Sequence, residues 1–92
     1  MNLVTRYSIE EIVNIITNKV KELLQQKQIA IDEDLSYVGL DSIKSITLIV
    51  DLEESFSIVF EDDDLVFENF SSVKKISDRV ITKLIFETNQ QK

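Results

Sequence analysis

Residues 39–46 read Gly-Leu-Asp-Ser-Ile-Lys-Ser-Ile, placing Ser42 behind Asp41 at the mouth of an apolar-periodic stretch. Aspartate and serine favour helix N-caps because a side-chain oxygen accepts a bond from a first-turn amide, so a helix opens at Asp41 or Ser42. Stepping forward at about 100° per residue, Leu48, Ile49, Leu52 and Phe56 fall on one side, with Ile46 at its edge, and carry the helix to about Phe56 or Ser57. Ile43, Thr47, Val50 and Glu54 share the opposite face, flanked by Lys44 and Asp51. Two aliphatic residues one heptad apart are thus left outside the core, beside the serine and among acids, as on a small docking surface. Ser42 has three chemical readings at such a place: a helix cap, a nucleophile, or the acceptor of a covalent group.

Upstream, Ser8-Ile9-Glu10-Glu11 fits a capping box, and Ile9, Ile12, Val13, Ile16, Val20, Leu23 and Leu24 recur at three- and four-residue steps as far as Gln25 or Gln26. Between the two helices, Lys27 to Leu40 holds Ile29, Ile31, Leu35, Val38 and Leu40 without helical period. This predicts a long connection pinned to the core at several points, and loops of that length are commonly functional. Downstream, Glu61-Asp62-Asp63-Asp64 predicts an acidic turn followed by a short helix around Leu65 to Glu68. The acids are consecutive and the glycine of a calcium loop is missing, which argues against an EF-hand. Ser71 or Ser72 caps a last helix with the stripe Val73, Ile76, Val80 and Leu84, joined by Ile81, and residues from about Thr88 onward are polar and expected to fray.

Composition bounds what this chain can do. Its 92 residues, 43% of them hydrophobic, suffice for one core and not two, so residues 1–92 form a single domain with its core at about 8–87. There is no proline and one glycine, Gly39, too little turn punctuation for an all-β domain. The fold class expected is all-α, a small four-helix bundle of three principal helices and one short one. The chain has no histidine and no cysteine, which excludes Ser-His-Asp and Cys-His catalysis, thiolate or imidazole metal sites and disulfides from within it. No stretch approaches the ~20 apolar residues of a membrane span, and Met-Asn-Leu-Val-Thr-Arg at the start leads into no signal-peptide core, so a soluble, cytoplasmic monomer is expected.

The net charge of −7 is unevenly spread: Asp32 to Glu68 holds twelve acids and one base, Lys44, while the remainder holds five acids and nine bases. A field of that sign repels nucleic acid and anionic lipid and draws basic protein surfaces, although an acidic run also serves simply to keep a small domain soluble.

Gly39-Leu40-Asp41-Ser42-Ile43, then Leu52-Glu53-Glu54-Ser55-Phe56, then Asn69-Phe70-Ser71-Ser72-Val73, resembles the acyl and peptidyl carrier proteins over about residues 8–87. A Gly-x-Asp-Ser tetrad alone is also just a loop glycine before a helix cap. The conjunction of all three segments, in order and at family spacing, gives the resemblance its specificity. It implies that Ser42 is esterified to 4′-phosphopantetheine by a separate phosphopantetheinyl transferase, and that the arm's terminal thiol carries acyl or aminoacyl groups as thioesters. The chain is then no enzyme but a substrate of others: the transferase, a loading enzyme, and a synthase or transferase that uses the thioester. Asp41, Gly39, Leu40 and Ile43 join Ser42 in the cofactor-binding set, with Asp41 helping to place the transferase and its metal and Gly39 leaving room beside the arm. Ile43, Lys44, Thr47, Val50, Asp51 and Glu54 form the expected partner surface. Lys44 and Thr47 stand where fatty-acid synthesis carriers usually have acids, and Val59-Phe60 replaces their Ile-Pro. A freestanding carrier for polyketide, nonribosomal peptide or related biosynthesis is therefore favoured. A D-alanyl carrier of cell-wall modification, a fatty-acid synthesis carrier and an unmodified interaction module of the same fold remain alternatives.

Overall fold

The computed structural model describes residues 7–90, with side chains through residue 85. Three α-helices, α1 (Ile9–Leu24), α2 (Ser42–Phe56) and α3 (Val73–Gln90), are joined by irregular segments carrying 3-10 turns at Leu35–Val38, Asp62–Asp64 and Phe67–Phe70. Among the described residues there is no strand. This is the small all-helical bundle that the periodicity predicts.

The capping box at α1 is formed as the sequence demands. The Glu11 amide donates to Ser8 Oγ at 3.0 Å and the Ser8 amide to Glu11 Oε1 at 2.8 Å. From α1 the core takes Ile12, Ile16, Val20 and Leu24. Ile9 was expected on that stripe but is 65% exposed. Helices α1 and α2 end on Gln25 and Ser57, both left-handed at φ 55°.

The long connection is pinned by backbone as well as side chains. Leu35 and Leu40 are buried, the Leu35 amide donates to the Ser71 carbonyl at 2.9 Å, and the Lys74 amide donates to the Ile31 carbonyl at 2.8 Å. Ile31 therefore anchors through its carbonyl, while its side chain stays exposed. Gly39 sits at φ 113°, which an L side chain rarely adopts, and turns the chain into α2.

The third principal helix buries Val73, Ile76, Val80 and Leu84, with Ile81 partly buried. Ser72 Oγ accepts the Lys75 amide at 3.2 Å and so caps it. The helix runs on to Gln90, past Thr88 where fraying was expected.

The segment between α2 and α3 differs from its sequence expectation. In place of a short helix over Leu65 to Glu68 stand two separate 3-10 turns, with Val66 extended between them. The cause is Asp64. Its carboxylate accepts the Glu61 amide at 2.7 Å, and its carbonyl accepts Asn69 Nδ2 at 2.9 Å, so the chain is held on both sides of Leu65 and cannot wind through it. Phe70, packed edge-on to Phe60 at 5.5 Å between ring centroids, is the buried anchor, whereas Leu65 and Phe67 point outward.

Candidate functional site

Asp41, not Ser42, caps α2: its Oδ1 accepts the Lys44 amide at 2.8 Å and its carbonyl accepts the Ser45 amide at 2.8 Å. Ser42 is then the first helical residue, exposed, and among the described residues its hydroxyl has no hydrogen-bond partner. With Lys44 served by Asp41, the Ser42 and Ile43 amides remain open at the positive end of the helix dipole, an arrangement that favours an anion such as a phosphodiester.

The remaining predicted residues divide into four groups. Gly39 flanks the serine, but its glycine is required by backbone conformation; the nearest atom to an added Cβ is Leu24 Cδ2 at 4.0 Å, so room is not the constraint. Leu40, placed with the cofactor-binding residues by resemblance, is buried in the core, and its amide donates to the Leu35 carbonyl at 3.0 Å. Its part is to hold the loop that presents Asp41 and Ser42. Ile43 is 74% exposed, and Thr47, Val50 and Glu54 lie on the same open face, with Lys44 half-buried at its margin. Thr47 returns its hydroxyl to the Ile43 carbonyl at 3.3 Å. Asp51 is set apart from this face by its partners. Lys19 of α1 reaches its Oδ1 at 3.0 Å and Ser55 Oγ donates to the same oxygen at 3.2 Å, so this carboxylate ties α1 to α2.

Four apolar residues join the surroundings of Ser42: Ile46, which was placed with the core, and Leu65 to Phe67, the short segment expected to open against α2 and shelter cargo. Ile46, expected at the edge of the buried stripe, is 62% exposed; on the helical wheel it lies nearer Ile43 and Val50 than Leu52, a signal that was legible. Leu65, Val66 and Phe67 are also exposed. They reach α2 only through tertiary packing, which no local pattern discloses. Together with Ile46, Ile49 and Phe70 they wall a shallow groove of about 240 Å³ that reaches Ser42 and Ser45.

The exposed Ser42 hydroxyl thus lies beside an apolar groove, in a chain without histidine or cysteine. The family described as "Phosphopantetheine attachment site" matches residues 14–80. Over 59 residues, 64% of this chain and 69% of the other, the sequence is 42% identical to the "Aminoacyl carrier protein" of Agrobacterium fabrum (strain C58 / ATCC 33970). No solved structure matches. The chain belongs to the phosphopantetheine-binding acyl and peptidyl carrier protein family.

It is accordingly a carrier and not an enzyme, and its cofactor is 4′-phosphopantetheine held covalently on a serine. The exposed hydroxyl, the open amides and the groove beside them fit such a group. When bound, it supplies the thiol that this cysteine-free chain lacks. As a carrier the chain works with a phosphopantetheinyl transferase and with synthases, and among the described residues no helix is long and apolar enough to cross a membrane.

Proposed function

We propose that Ser42 is the attachment serine, and that the chain carries acyl or aminoacyl groups as thioesters in the cytoplasm, in a polyketide, nonribosomal peptide or related specialised biosynthesis. The observation that carries this reading is the division of labour at the start of α2: Asp41 does the capping, which leaves the Ser42 hydroxyl exposed and unengaged. In the loading step Ser42 Oγ attacks the phosphorus of coenzyme A that bears the pantetheine arm. The phosphoanhydride bond breaks, 3′,5′-ADP leaves, and the serine proton passes to a base on the transferase, since this chain has no histidine to take it.

Similarity to an aminoacyl carrier protein supports amino acids as cargo, a reading that the D-alanyl carrier alternative shares. The exposed face Ile43, Thr47, Val50 and Glu54, with Lys44 beside it, supports docking through apolar contacts next to the serine more than through a row of acids. The test is to incubate the apo-protein with coenzyme A and a broad-specificity transferase. A mass increase in the native chain that is lost in Ser42→Ala supports the attachment. An unchanged mass, or an adduct that survives the substitution, overturns it. Offering the loaded chain to an adenylating enzyme of the host with a panel of amino and carboxylic acids then identifies the thioester.

A further inference from the structure

The acids between Asp32 and Glu68 are interrupted by one base, Lys44, the third residue of α2. Lys19, Lys74, Lys75, Arg79 and Lys83 each reach an acid, whereas the Lys44 side chain has no hydrogen bond or ion pair among the described residues. Asp41, three residues back, takes the Lys44 amide and not its ammonium. The residue is half-buried, yet its Nζ stays open to solvent, a stem laid on the protein with its charged end in water. A cation in the first turn faces the positive end of the helix dipole, so this charge opposes the helix on which it stands. Glu54 is its counterpart: exposed, also without a partner among the described residues, and ten residues on, about 15 Å along α2. The other two charged side chains of the helix are engaged, Asp51 by Lys19 and Glu53 by the Phe60 amide at 2.9 Å. Between the two free charges Val50 is apolar, and Thr47 turns its hydroxyl back to the Ile43 carbonyl.

We infer that the open face of α2 is electrically polar, positive at the serine end through Lys44 and negative about 15 Å further on through Glu54, and that this order of signs selects the loading enzyme. The partner it fits carries a carboxylate beside the mouth that receives the arm and a base about 15 Å from it, with an apolar strip between them. The inference rests on the docking face proposed above and names its partner's chemistry. An enzyme whose rim is basic throughout meets Lys44 with like charge, and one laid across α2 in the reverse direction meets like charge at both ends. The two residues therefore set which enzyme docks and which way round. A basic transferase, by contrast, is held through Glu54 and gains nothing from Lys44.

The test compares native holo-protein with Lys44→Glu, Glu54→Lys and the variant carrying both, in thioester formation by the host adenylating enzyme that loads the native chain. The double variant keeps the net charge of −7 and reverses only the order of signs. Expected for it at low salt is a loss of about tenfold in kcat/KM, carried by KM and shrinking to about twofold near 0.5 M salt, with Lys44→Arg close to native. Attachment of the arm by a basic transferase should not slow in Lys44→Glu, which also shows that this variant folds. A double variant that loads like the native chain would mean that total charge or apolar contact suffices. A loss that salt leaves unchanged, or one matched in the attachment step of Lys44→Glu, would mean altered shape. Each of these results overturns this inference alone. A native chain that takes the arm but is loaded by no host adenylating enzyme overturns the aminoacyl reading with it, and one that gains no mass overturns the attachment as well.

Discussion

Lys83 Nζ lies 2.9 Å from Asp64 Oδ2, with both side chains less than a tenth exposed, and Arg79 Nη1 stands 3.3 Å from the other carboxylate oxygen. Burial pushes the Asp64 carboxyl up, but the Glu61 amide, the Lys83 hydrogen bond and the Lys83 and Arg79 charges outweigh it and hold the group below the ordinary aspartate value. Asp64→Asn leaves Lys83 buried against a neutral partner and should cost about 3 kcal/mol at neutral pH, read by urea unfolding, whereas replacing both Asp64 and Lys83 by apolar residues should recover most of it. Because the folded-state pKa is depressed, this stabilisation is fully present above the unfolded value of about 3.9 and is lost as pH falls through the lower folded value. The gap between wild type and Asp64→Asn should therefore stay constant from neutral pH down to about pH 4 and close below it. A gap that closes near neutrality would contradict the assignment.

Capping by Asp41 and the attachment proposed for Ser42 fall on adjacent residues and should separate by mutation. Asp41→Ala removes the acceptor of the Lys44 amide and should lower stability by about 1 kcal/mol, while Ser42→Ala should stay within about 0.5 kcal/mol of wild type. Thermal unfolding of the two variants checks this; equal losses would mean that the hydroxyl shares the cap.

On the proposed docking face, charge and apolar contact should give different salt responses. Glu54→Lys should slow association with a basic transferase a few-fold at low salt, and the difference should vanish by about 0.5 M, where the screening length is only a few ångströms. Ile43→Asp should weaken the complex at every salt concentration. Asp51→Lys also breaks the half-exposed Lys19 bridge, so a stability loss below about 1 kcal/mol should accompany any change in rate. Rates untouched by Glu54→Lys and Ile43→Asp would leave this face with a solubilising role only.

From the break between the two 3-10 turns into the start of the second, Leu65 to Glu68 should exchange amide hydrogens faster than α1 or α3, since exposed single turns open at little cost. Asp64→Asn should extend the fast exchange to Glu61 through Asn69, because the carboxylate holds the turn shut. Exchange at 65–68 as slow as in the core of α3 would identify this segment as a rigid brace.

The helices were legible because they answer to local rules: the Ser8 box, the Asp41 cap and the stripes through Ile16, Leu52 and Val80 are set by neighbours three or four residues apart. The place of Ser42 at the first turn of α2 was legible for the same reason. What the sequence hid is long-range. The acids at 61–64 suggest mutual repulsion, yet Asp64 pairs with cations fifteen and nineteen residues further on. Asp51 reads as a free surface acid until Lys19 is brought beside it. Ser45 falls at the centre of the buried side of α2, which a wheel shows, but the absence of a partner for its hydroxyl depends on packing.

Tyr7 stacks edge-on against Phe56 at the far end of α2, 5.3 Å between ring centroids, while α3 starts against the loop that leads to Ser42 and runs away from it. Both ends of the described chain consequently emerge at the pole opposite the serine, a helix length of roughly 25 Å away. A tether, dye or neighbouring domain joined at either end would sit behind the carrier, and the serine pole would stay free to swing from one client enzyme to the next.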